Sequence, residues 1–137
     1  MIRGINHIGI AVRDLAASME LFGTIFRVDS FHRERVEDQK VEVASFNLGG
    51  VLIELTAPTE ADSTIGKFLE KRGEGIHHVA FAADDVNAEL DRLNGAGVTL
   101  INRTAQPGAH DMLIAFLHPK STGGVLMELC QHNDRTD

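Results

Sequence analysis

Four residues in this chain pair metal-ligating chemistry with an apolar setting: His7 in INHIGIAV, Glu54 in VLIEL, His78 in GIHHVAF and Glu128 in VLMEL. A strand with one wet face alternates apolar and polar positions. VLIEL and VLMEL do not alternate, and each reads as a buried strand interrupted by one carboxylate. Burying a carboxylate is costly unless it is paired or coordinates a cation. A lone histidine in such a strand is more often a hydrogen-bonded core residue than a ligand. The four together reverse that expectation. Two imidazoles and two carboxylates suit a divalent transition ion such as Co²⁺, Ni²⁺, Zn²⁺ or Mn²⁺. An octahedral ion would keep two positions open. Structural zinc sites are four-coordinate and usually thiolate-rich, so this donor set reads as catalytic.

The elements that must position these residues occur twice. Residues 6–22 (NHIGIAVRDLAASMELF) align without gaps on 77–93 (HHVAFAADDVNAELDRL), placing His7 on His78, Ala11 on Ala82, Asp14 on Asp85 and Ala17 on Ala88. VLIEL and VLMEL close the two halves and place Glu54 on Glu128. Asp14 and Asp85 are suited to cap helices, since a carboxylate there accepts from free backbone N–H groups. Leu15, Met19, Phe22 and Phe26 follow the first cap on one helical face, and Val86, Leu90 and Leu93 follow the second. Asn94-Gly95 would stop the second helix. Strand patterns come next at 28–36, 40–48 and 51–56, then at 98–102, 111–118 and 123–130. Each half is therefore β-α-β-β-β. Between them, Ser63 or Thr64 would cap a helix carrying Ile65, Phe68 and Leu69, ended by Gly73. The expected organisation is one domain over 1–137, with module one at about 1–57, an ordered connector at 58–74 and module two at about 75–131.

Composition narrows the partners. The 137 residues carry 13 basic and 20 acidic groups, a net charge of −7, which disfavours a nucleic-acid surface and an anionic membrane. Tyr and Trp are absent, which removes the usual base-stacking platforms. One cysteine, Cys130, excludes an internal disulfide framework. The longest apolar runs are too short to span a bilayer. No basic region followed by an apolar stretch opens the chain, so no signal peptide and a cytoplasmic location are expected.

Other residues with chemical potential read more plainly. His77 falls on Asn6 in the repeat and should face away from His78, because strand side chains alternate. His32, in FHRERVEDQK, reads as solvated, and His132 as a surface residue. His110 after Pro107-Gly108-Ala109 and His118 before Pro119 are loop residues within reach of a ligand. Cys130 shares a strand face with Glu128 but has no base beside it, so it reads as a small core residue. Gly123-Gly124 reads as a turn, since no phosphate-loop pattern follows.

These residues resemble those of the vicinal oxygen chelate (glyoxalase-like) superfamily. INHIGIAV (5–12), ELTAP (54–58), KFLEKRGEGIHHVAF (67–81), PGAH (107–110) and FLHPKSTGGVLMELCQ (116–131) are similar, within it, to the methylmalonyl-CoA epimerase family. Arg27, in TIFRVDSF, stands where that family commonly carries a leucine-glycine pair. The resemblance implies an α+β fold in which two βαβββ modules form a cupped eight-stranded mixed sheet. It implies a homodimer, an acyl-CoA substrate and interconversion of the 2R and 2S forms of methylmalonyl-CoA. The metal ligands would be His7, Glu54, His78 and Glu128, with Glu54 the least demanding because some relatives have glutamine there. The acid–base groups would be Glu128 and, by the family's base position, Glu42 in KVEVASF. From the residues alone, Glu42 reads equally as a solvent-facing carboxylate. Lys67, Lys71 and Arg72 read as a solvated helix face, or as contacts for coenzyme A phosphates. The same ligands would also serve lactoylglutathione lyase, which the segments 67–81 and 116–131 disfavour. A metal-free binding module needs no such ligands. An extradiol dioxygenase normally uses only three.

Overall fold

The computed structural model describes Met1–Asn133. The element order is β1 (Ile2–Ala11), α1 (Leu15–Phe26), β2 (His32–Val36), β3 (Val41–Leu48), β4 (Val51–Pro58), α2 (Thr64–Arg72), β5 (Gly75–Ala83), α3 (Val86–Gly95), β6 (Gln106–Pro107), β7 (Met112–Leu117) and β8 (Met127–His132). Among the described residues the class is α+β, with eight strands of mixed direction and three α-helices. No helix among the described residues is long and apolar enough to cross a membrane. The chain divides into two compact units, His7–His77 and Met1–Asn6 together with the chain from His78 on.

In the unit His7–His77 the strand order is β2-β3-β4-β1. β1 runs parallel to β4, and β3 pairs antiparallel with both β4 and β2. Helix α1 starts where expected: the Asp14 carboxylate accepts from the Ala17 N–H. The helix packs its apolar side on one sheet face, joining Val12, Leu15, Ala44, Phe46, Ile53, Leu55 and Ala57 into a core supported by Ile8, Ile10, Met19 and Phe22. Alternation then fixes the other face, which carries His7, Gly9, Val43, Ser45, Glu54 and Thr56. The connector is ordered. Ser63 caps α2 by accepting from the Gly66 N–H, Ile65 and Leu69 are buried, and the chain leaves the helix at Gly73.

The second unit repeats the plan, with the order β6-β7-β8-β5. β5 is parallel to β8, and β7 pairs antiparallel with both β8 and β6. Asp85 caps α3 by accepting from the Ala88 N–H. Val86 and Leu90 of α3 are fully buried against Ala83, Ala115, Leu117 and Leu129, each contributing about 1.5–3 kcal/mol by removal from water. The opposite face carries Ala80, Met112, Ile114 and Cys130, with Phe116 packed on them. The start of β1 belongs to this unit: Arg3 donates twice to the Asp84 carboxylate, and the Asp84 N–H donates to the Met1 carbonyl.

Two strand expectations shift. Residues 98–102 form only a single bridge, Leu100 with Leu117. The N–H groups of Ile101 and Asn102 both reach the Phe116 carbonyl, and the Asn102 side chain accepts from the Phe116 N–H, so the ladder cannot continue there. The outer strand of this unit is instead the two-residue β6. The 28–36 strand begins only at His32, because α1 exits through Arg27 in the left-handed region (φ 57°) and the Val28 N–H returns to the Gly23 carbonyl.

Candidate metal centre

Each unit holds one buried imidazole–carboxylate pair. In the first, His7 Nδ1 lies 3.4 Å from Glu54 Oε2. In the second, His78 Nε2 lies 3.5 Å from Glu128 Oε1. All four side chains are buried: His7 and Glu54 are each 4% exposed, His78 8% and Glu128 3%. The neighbouring strand supplies a small residue alongside each glutamate, Gly9 for Glu54 and Ala80 for Glu128. On the other side, Ser45 stands across from Glu54 and Phe116 across from Glu128. Phe116 also meets the His78 ring edge-on at 5.6 Å between centroids. The two pairs are thus built from equivalent places in the duplicated module.

The spacing suits a shared ion. A charge-assisted N–H···O bond is typically about 2.7–2.9 Å long, shorter than either pair. Two donors each about 2.1 Å from one cation sit about 3–3.4 Å apart, a spacing the first pair meets and the second exceeds by about 0.1 Å. The donors themselves, neutral nitrogen and anionic oxygen, are those that a divalent transition ion prefers.

The remaining sequence candidates separate clearly. His77 points away from the His78 face, as alternation requires. Its ring meets Phe68 edge-on at 5.0 Å, and burial pushes its pKa down to about 4. Arg72 stacks over Phe68, with its guanidinium carbon 5.9 Å from the ring centre. Cys130 is fully buried on the Glu128 face, its thiol directed at the Phe81 carbonyl. His118 caps the turn at Pro119–Ser121 by accepting from the Lys120 N–H. His110 and Asp111 both sit at positive φ, 58° and 53°.

Glu42 does not join the others. The register pairs it with Ala57 on β4 and Arg35 on β2, which places it on the helix-side face, opposite Glu54. Its side chain is 42% exposed and lies 3.7 Å from the Arg35 guanidinium. The register puts Val43, not Glu42, on the Glu54 face. The same register reveals two residues that the sequence hid. His32 pairs with Ser45, and Glu34 with Val43, so both stand on the Glu54 face. The polar composition of FHRERVEDQK masked the alternation of His32, Glu34 and Val36 that would have exposed them.

Comparison with known proteins agrees with this architecture. The sequence profile of the Glyoxalase/Bleomycin resistance protein/Dioxygenase superfamily matches residues 6–116. An uncharacterised protein of Bacillus subtilis (strain 168) is 42% identical over 135 residues, 95% of this chain and 96% of its own length. An ethylmalonyl-CoA/methylmalonyl-CoA epimerase of Cereibacter sphaeroides is 37% identical over 134 residues, 96% of this chain and 99% of its own. A solved methylmalonyl-CoA epimerase in complex with methylmalonyl-CoA and NH4+ superposes with a TM-score of 0.92 at 37% identity, covering 97% of this chain and 96% of that one. With the duplicated fold and the two His–Glu pairs, these similarities show that the chain belongs to the glyoxalase/bleomycin resistance/dioxygenase superfamily, within its methylmalonyl-CoA epimerase family.

Proposed function

We propose that this protein is a metal-dependent epimerase that interconverts (2R)- and (2S)-methylmalonyl-CoA. The observation that carries the reading is the buried His–Glu pair present once in each module. His7, Glu54, His78 and Glu128 would together hold one divalent ion, with Co²⁺ the first choice. When bound, the ion supplies Lewis-acid stabilisation of the negative charge that develops on the thioester oxygen as the α proton leaves.

The chain's own residues supply the rest. Glu128 is the proposed proton-transfer group on one side of the α carbon, with a carboxylate oxygen that takes or returns the proton. Ala80 and Phe116 flank it on the neighbouring strands and keep its surroundings dry, which strengthens electrostatic interactions there. His78, held edge-on by Phe116, fixes the carboxylate's neighbour. The relatives with acyl-CoA names and ligands support a coenzyme A thioester as the substrate class. The family resemblance also carries a homodimer, which light scattering of the purified protein tests.

The activity test is direct. Purified protein reconstituted with Co²⁺ and given (2S)-methylmalonyl-CoA should generate the 2R form until the two are equal, and chelator-treated protein should not. No interconversion by fully metal-loaded protein would overturn the reading.

A further inference from the structure

We propose that Phe116 is the specificity-determining residue for the alkyl group on the substrate's α carbon, and that it favours methyl over anything larger. This rests on the epimerase reading above, in which Glu128 moves the α proton. The α carbon must then come within about 3 Å of a Glu128 oxygen, and its alkyl group lies one bond further on. The side chains standing beside Glu128 decide how much room that group has.

The register names them. Ala80 flanks Glu128 on β5, and Phe116 flanks it on β7. Ala80 ends at a methyl, so of the two it is Phe116 that rises far enough above the sheet to meet the alkyl group. Phe116 also stands close. Its N–H donates to Asn102 Oδ1 at 2.8 Å, and its carbonyl accepts from the Ile101 and Asn102 N–H groups at 2.9 and 3.3 Å. In an antiparallel ladder the N–H and C=O of one residue share a side. With both turned to 101–102, Phe116 and Glu128 form a non-hydrogen-bonded pair, the kind whose Cα atoms lie about 4.5 Å apart and whose side chains approach most closely.

The ring is held in place as well. The His78 ring meets it with an interplanar angle of 86°. It packs on Ala80, Met112, Ile114 and Cys130. Ile114 has little room to give way, because Gly108 lies so near that a Cβ there would stand 2.9 Å from two of its side-chain carbons. Met112, Ile114 and Cys130 are buried, whereas Phe116 is half-buried and has surface left to meet a ligand. The duplicated module fills the same place differently. Gly9 and Ala80 are both small, but Ser45 stands across from Glu54 where Phe116 stands across from Glu128. The wall is built beside the glutamate proposed to move the proton and not beside its repeat partner. A ring fixed in this way does not draw back for an added methylene.

The test compares methylmalonyl-CoA with ethylmalonyl-CoA on Co²⁺-loaded protein. Wild type should favour the methyl substrate by about 10-fold or more in kcat/KM, the usual worth of one methylene in a fixed pocket. Phe116→Leu should remove most of that preference. The ratio isolates specificity, since any disturbance of His78 or the ion lowers both rates alike. Phe116→Met, unbranched and flexible, should shift the ratio the same way and serves if Phe116→Leu does not fold. Calorimetry with propionyl-CoA and butyryl-CoA, which carry methyl and ethyl on the α carbon, should show the same change in relative affinity without turnover. A wild type that takes both substrates equally would overturn the proposal. So would substitutions that leave the ratio within about threefold of wild type, a change too small for an opened methylene. A wild type that binds acyl-CoA but epimerises neither substrate would overturn the epimerase reading, and the binding ratio then decides Phe116 by itself. Absence of acyl-CoA binding would overturn both.

Discussion

Glu42 and Glu54 lie on neighbouring strands but on opposite faces of the sheet, because the register sets Glu42 against Ala57 and Glu54 against Ser45. A carboxylate on the helix side cannot share work with one on the other side. Glu42→Gln should therefore keep epimerisation and metal content at wild-type levels. The contact at stake is the exposed pair with Arg35, and such pairs are worth about 0–1 kcal/mol. Steady-state assay and thermal denaturation check both parts, and a large loss of turnover would contradict the face assignment.

The two glutamates of the metal pairs should differ in what they tolerate. In the proposed mechanism Glu128 is both ligand and proton carrier, so Glu128→Ala should lose turnover entirely and more than about 90% of bound Co²⁺. Glu54→Gln keeps an oxygen donor in the same place and should retain the ion with weaker affinity. Elemental analysis after gel filtration, set beside the activity assay, separates the two.

Arg27 is a site of built-in strain. It ends α1 at φ 57°, a conformation that costs a side-chain-bearing residue and not glycine. Arg27→Gly should stabilise the protein by about 1 kcal/mol, read as a raised urea midpoint with an unchanged slope. Activity should not move, since the residue lies at the C-terminal end of α1, the helix packed on the sheet face opposite His7 and Glu54.

The clasp between Arg3 and Asp84 should give stability a defined acid limb. The hydrogen bond from the Arg3 guanidinium holds the Asp84 carboxyl below its ordinary value of 3.8. A lowered folded-state pKa contributes stability that is fully present above the unfolded value and is lost as pH falls through the folded one. Asp84→Asn should therefore lower Tm at pH 7, and the gap to wild type should close only below pH 3.8. A gap that is the same at pH 7 and in strong acid would contradict this.

Much of this was legible in the sequence, for identifiable reasons. The repeat aligned His7 with His78 and Glu54 with Glu128, and strand alternation carried that equivalence into two like pairs. The caps Asp14, Ser63 and Asp85 were visible because N-cap chemistry is local. The face of Glu42 was not legible, because a one-residue difference in strand register inverts every side chain and the flanking Val41 and Val43 give no hint of which face is which. Glu34 was hidden for the converse reason. β2 is an edge strand in which Val36 alone is apolar, too little of a hydrophobic mark to show which of its positions face inward. Residues 98–102 looked like a strand by composition, but the Asn102 side chain occupies the Phe116 N–H that a ladder would need.

Cobalt titration of the metal-free protein, followed by its visible absorption and by elemental analysis, probes the heart of the matter. One ion per chain is expected, and either His7→Ala or His78→Ala should abolish it. Two independent ions per chain, or a single ion that survives loss of one of these histidines undiminished, would contradict a centre shared by the two modules.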